Sequence, residues 1–199
     1  SWSPYHGAAY AVVEACAKAV AAGAEFGGMR FSYQEYFERM HTARSWGKPL
    51  AALLGALRMQ VELGLPSIGG KDSMSGTFQQ INVPPMLMAF GITTVDARRV
   101  ISTDLKEAGH TLYLLKHTPK ANRMPDTAAL RTLWNYASER IAAGRIVAGY
   151  AVGFGGVAEA LAKMAFGNGV GAEVTMDEPK LYEYAYGSIL VECEGTLEY

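Results

Sequence analysis

The stretch PSIGGKDSMSGTF, residues 66–78, sets glycines, a lysine, an aspartate and serines between apolar segments. Two readings fit that composition. Glycine and serine are the usual residues of a surface hairpin loop. Alternatively, a backbone free of side chains lets an anion come close, with a lysine and hydroxyls at hand to hold it. A P-loop is excluded by spacing. That pattern, G-x-x-x-x-G-K-[ST], needs its first glycine separated by four residues from the glycine that precedes the lysine, and a hydroxyl directly after the lysine. Counting back from Lys71 gives Leu65, and Asp72 stands in the hydroxyl position.

Upstream of this stretch the pattern is helical. SPYHGAAYAVVEACAKAVAAGA begins with Ser3 as N-cap and Pro4 at the first helical position, and Gly23 supplies the stop. Glu14 and Lys18 lie one turn apart and read as a helix-surface ion pair. SYQEYFERM has capping-box spacing from Ser32 to Glu35, which predicts a short helix. KPLAALLGALRMQVELG is a third helix, with Pro49 near its start and Gly64 past its end. Gly55 within it marks close packing against a neighbour. Residues 65–68 lead into the glycine-rich stretch, and PMLMAFGITTV leaves it as a buried apolar strand.

The composition turns polar and irregular over residues 96–109, where a domain junction is expected. The domains are then 1–100 and 101–199. In the second, HTLYLLKHT is a strand and residues 126–143 an amphipathic helix, with Leu130, Leu133, Trp134, Ala137 and Ile141 on its core face. RIVAGYAV is a strand, GFGG at 153–156 a tight turn, and VAEALAKMAFGN the helix after it. GAEVTM and YGSILVEC are the last strands. The glycines of GFGG fail the strict G-x-G-x-x-G spacing, since Ala158 stands where the third glycine belongs and Glu159 follows it. They serve close helix–strand packing or a phosphate at the helix N-terminus.

A formal net charge of −1 and a pI near 6.4 argue against a nucleic-acid surface. Apolar runs are broken well short of membrane-spanning length. Cys16 and Cys193 read as buried thiols of a reducing compartment, and the four histidines lack metal-ligand spacing. The chain opens at Ser1 directly into helical sequence and reads as a piece of something longer.

SPYHGAAYAVVEACAKAVAAGA, RFSYQEYFERM, WGKPLAALLGA, GLPSIGGKDSMSGTF and KMAFGNGVG, in this order, resemble the second synthetase half of the phosphoribosylformylglycinamidine synthases of the large single-chain form. GGKDSMSG is the most specific of these motifs, and the likeness spans nearly the whole chain. The resemblance implies an α+β fold of two aminoimidazole ribonucleotide synthetase-like domains. The first would be a partial N-type domain lacking its opening strands, with an exposed sheet edge, and the second a C-type domain. It implies a cytoplasmic, ATP- and Mg²⁺-dependent ligase of purine biosynthesis. That enzyme converts formylglycinamide ribonucleotide to the amidine with glutamine-derived ammonia. The partners would be that substrate and the rest of the same polypeptide, a first synthetase half and a glutaminase domain, with no nucleic acid and no membrane. No catalytic residue is assigned within this stretch, and the chain alone is expected to be inactive.

Carried onto these residues, the resemblance has Gly69 and Gly70 admit anionic oxygens, Lys71 neutralise phosphate, and Ser73 and Ser75 donate hydrogen bonds. Asp72 would ligate Mg²⁺ or position Lys71. Glu14 would be a metal ligand of an auxiliary nucleotide site. Lys18, however, stands where relatives carry an asparagine. YAVGFGG aligns with their HDRSDGG-like turn, with Ala151 and Phe154 in place of acidic residues and Gly153 in place of a serine. A second reading follows, a non-catalytic structural half whose auxiliary site is filled by side chains. Selenophosphate synthetase and thiamine monophosphate kinase are further members of the superfamily, against which GGKDSMSG argues.

Overall fold

Alternation decides the first sheet. The computed structural model describes residues 3–198, and in it Phe31, Tyr33 and Glu35 are buried while Ser32, Gln34 and Tyr36 are half-exposed. That period of two defines strand β1, Arg30–Tyr36. The helix that capping-box spacing predicts here does not form. Aromatic residues at alternate positions suit a pleated surface better than a helical turn. A capping box does form further on. Thr42 Oγ1 accepts from Ser45 N at 3.1 Å and Ser45 Oγ accepts from Thr42 N at 3.0 Å, opening a helix over Ala43–Leu63.

One compact unit comprises residues 3–15, 27–92 and 119–127. It holds a three-stranded sheet of order β2-β1-β5, with β2 at Ser67–Ser73 and β5 at Met86–Ile92. β2 runs parallel to β1, and β5 antiparallel to it. A hairpin of β3 (Thr77–Phe78) and β4 (Ile81–Asn82) lies between them. The stretch open to a loop reading is therefore mostly strand. Helix α1, Pro4–Ala21, begins as expected, with Ser3 Oγ accepting from His6 N. Helix α2, Ala43–Leu63, starts before Pro49 and ends at Gly64 in the left-handed conformation. A Cβ on Gly55 would lie 2.0 Å from the Tyr5 carbonyl oxygen, so α1 and α2 meet backbone to backbone there. β5 is not the buried strand its composition predicts: Met86, Phe90 and Ile92 are exposed. So are Trp46, Leu50, Leu53, Leu54, Leu57 and Val61 along α2.

The other unit comprises residues 16–26, 93–118 and 128–198. Its sheet is antiparallel, order β6-β8-β7, with β6 at Thr111–Leu115, β7 at Ile146–Ala151 and β8 at Ile189–Cys193. Helices α3 (Thr127–Ala142), α4 (Gly156–Phe166) and α5 (Glu178–Leu181) follow in chain order. The apolar stripe of α3 is core as expected, and Trp134 Nε1 donates to Gly187 O at 3.1 Å. GAEVTM forms no strand, since residues 171–176 carry no regular structure. Cys16 and Cys193 are free and buried. Burial pushes each thiol up to about 12. Among the described residues no helix is long and apolar enough to cross a membrane.

Candidate functional site

β2 carries five of the six loop residues singled out for binding, and a strand sends alternate side chains to opposite faces. Gly69 has φ +141°, with nothing near the place of a Cβ. Its backbone is open to approach. Gly70 is a glycine for a different reason, because a Cβ there would lie 2.6 Å from the Tyr33 carbonyl oxygen of β1. Lys71 Nζ donates to Ser73 Oγ at 2.8 Å and lies 5.9 Å from the Tyr36 ring centroid. A shallow depression of about 340 Å³ on that side is lined by Ser32, Gln34, Gly69, Gly70, Lys71 and Phe90. Ser75 is exposed two residues beyond the strand end.

Asp72 belongs to the other face. In the parallel ladder it is the registered partner of Glu35. Lys71 and Asp72 do not converge, and Lys71 is oriented by Ser73 and Tyr36 instead of by its acidic neighbour. Asp72 lines a cleft of about 380 Å³ with Ser67, Gly69 and Gly70 of β2, Tyr33 of β1, and Leu53, Leu57 and Gln60 of α2. Glu35 is wholly buried, and no backbone amide or basic side chain donates to its carboxylate oxygens. Burial first, then the negative charge of Asp72 and a hydrogen bond shared with that side chain, push the Glu35 carboxyl up to about 7. Sequence reading missed Glu35 because the helix predicted there hid a plain signal, a glutamate in phase with Phe31, Tyr33 and Phe37.

Glu14 is half-buried on α1. Among the described residues no three His, Cys, Asp or Glu side chains gather as a metal site. At the GFGG turn, Glu159 Oε2 accepts from Gly155 N at 2.9 Å, and Lys163 Nζ donates to Glu159 Oε1 at 2.5 Å. Lys163, the Gly155 amide and the charge of Lys18 hold the Glu159 carboxyl below its usual range. The amide that an incoming anion would use at this helix start is thus already bonded to a carboxylate of the chain. Gly156 has φ +66°, and a Cβ there would lie 2.4 Å from Leu181 O. This glycine serves packing.

The fold is the α+β fold of AIR synthase-like proteins. Residues 100–197 match the family described as AIR synthase related protein, C-terminal domain. No curated protein matches the chain. Among solved structures, Thermotoga maritima PurL complexed with ATP is 16% identical with a TM-score of 0.71, over 96% of this chain and 33% of that one. The same protein complexed with FGAR is 15% identical, TM-score 0.71, over 96% and 35%. A HypE–HypF complex is 13% identical, TM-score 0.65, over 94% and 68%. The chain spans about a third of the length of the PurL structures it resembles.

Proposed function

We propose that the chain supplies one wall of the synthetase site of an ATP-dependent ligase of purine biosynthesis. In this reading the ligase converts formylglycinamide ribonucleotide to formylglycinamidine ribonucleotide with glutamine-derived ammonia. The enzyme is the cytoplasmic phosphoribosylformylglycinamidine synthase of the large single-chain form. Residues 1–100 and 101–199 are its second N-type and C-type domains, and a first synthetase half and a glutaminase lie elsewhere in the polypeptide. The observation that carries the reading is GGKDS set on an edge strand. Its Gly69 backbone is open and its lysine is held outward by Ser73 and Tyr36. PurL structures complexed with ATP and with FGAR, which share the fold, support it.

On this strand the residues divide the work. Gly69 lets anionic oxygens come against open backbone, while Gly70 lets β2 lie close against Tyr33 of β1. Lys71 supplies fixed positive charge, and Ser73 and Ser75 offer hydroxyl donors. Asp72 and Glu14 are the Mg²⁺ ligands of the reading. Across the ladder from Asp72 stands a second carboxylate, Glu35. When bound, Mg²⁺ neutralises negative charge on oxygen ligands. Lys71→Ala in the full-length synthase is expected to lower kcat/KM by about a hundredfold, the usual loss for a transition-state charge contact. Lys18→Ala is expected to leave it nearly unchanged. Thermal melts of both variants separate lost chemistry from lost folding. Wild-type kinetics in a folded Lys71→Ala variant would hand the case to the second reading. That alternative, a structural half with a degenerate auxiliary site, is favoured by Glu159 occupying the Gly155 amide.

A further inference from the structure

The unit built on β6, β7 and β8 holds a cavity that the ligase reading does not use. It measures about 650 Å³, within the size range of small-molecule sites. Leu112 and Leu190 of the sheet and Val157 and Leu161 of α4 give it apolar walls. His110, just before β6, also lines it. That imidazole is held by Glu192 of β8, a buried carboxylate that accepts from His110 Nδ1 at 2.8 Å. The same carboxylate accepts from Lys106 N at 2.7 Å and from Glu107 N at 3.1 Å. A carboxylate only accepts, so Nδ1 carries the proton, and in the neutral ring Nε2 is left as an acceptor. Among the described residues no donor reaches Nε2.

We propose that this cavity binds a small primary amine with an apolar body, its ammonium donating to His110 Nε2. Charge selects the class. Glu107 and Glu173, both exposed, line the cavity along with Glu192, and no lysine or arginine lines it. A phosphate or carboxylate would meet like charge there with no cation to hold it. An ammonium meets opposite charge, and its carbon chain lies against the leucines and valine of the walls. Glu192 acts through the imidazole: it fixes which ring nitrogen is left to accept and how the ring is set. The cavity is thus the electrostatic opposite of the Lys71 face, which offers a cation to anions.

The probes are phenethylamine, as its ammonium, and hydrocinnamate, an anion of similar size. Each is titrated into the 199-residue chain at mildly alkaline pH, where a histidine is ordinarily neutral. Proton–nitrogen NMR of the histidine side chains reads Nδ1 and Nε2 separately. Phenethylamine is expected to move the His110 Nε2 signal with a dissociation constant of about 1 mM or tighter, at least about tenfold below that of hydrocinnamate. The His117 ring, which does not line the cavity, is expected to stay unmoved. His110→Phe is expected to weaken amine binding by about tenfold, and its melting temperature shows whether it folds. Glu173 is exposed, so Glu173→Gln keeps the fold and is expected to weaken binding by about threefold. Glu25→Gln, away from the cavity, leaves it unchanged. Equal affinity for the two probes, an unmoved His110 with the amine at about 10 mM, or wild-type affinity in Glu173→Gln overturns the site. The ligase reading is tested on Lys71, in the other unit, so either proposal can fail alone.

Discussion

A glutamate in an apolar row makes stability depend on pH in an unusual direction. Burial and the neighbouring Asp72 raise the Glu35 carboxyl from its ordinary 4.5 to about 7 in the folded chain. The folded state therefore holds a proton that the unfolded state releases, across the interval between those values. Stability from this group is fully present below about 4.5, falls as pH rises, and is lost above about 7. In EDTA, the melting temperature is expected to drop between pH 5 and pH 8. Glu35→Gln is expected to flatten that drop, since a neutral amide has no proton to lose. Equal slopes for the two proteins would show that the decline arises elsewhere. Lys71 and Asp72 teach the complementary lesson at this scale. Adjacent in sequence, they read as one charged pair, yet strand geometry sends them to opposite faces.

At the scale of the element, α2 holds two glycines whose substitution should act in opposite directions. Gly55 faces the Tyr5 carbonyl, and alanine there must push α1 and α2 apart, at a cost of about 1–3 kcal/mol as for other overpacked sites. Gly47 is exposed with nothing near its Cβ position, so Gly47→Ala is expected to stabilise by about 1 kcal/mol through helix propensity. Urea denaturation of both variants checks the pair, and a stabilised Gly55→Ala would contradict the backbone contact. Much of α1, α2 and α3 was legible because N-cap, C-cap glycine and apolar stripe agree there. β1 was not, because S-x-x-E spacing at Ser32–Glu35 outweighed the alternation of Phe31, Tyr33 and Phe37. The site inherited that error: Lys71 and Asp72 were legible from their motif, whereas Glu35 required knowing that its segment is a strand. GAEVTM has strand-forming residues but makes no ladder with β6.

For the molecule as a whole, composition promises a sizeable core but does not say which apolar faces it covers. Leu50, Leu54, Leu57 and Val61 on α2 and Phe90 and Ile92 on β5 are as hydrophobic as the core, yet exposed. A bare face and a covered one are written in the same residues. The two cysteines sit on the covered side, within one unit, at opposite ends of the sequence. With each thiol pushed up to about 12, almost none is thiolate at neutral pH, and neither can be alkylated while the unit stays closed. They act as a pair of clocks. Under iodoacetamide, Cys16 and Cys193 are expected to label at one common rate if the unit opens as a single cooperative body, a rate that mass spectrometry resolves thiol by thiol. Faster labelling of Cys16 alone would mean that the end of α1 unravels before the β8 strand is ever released, making the helix the weak seam of the fold.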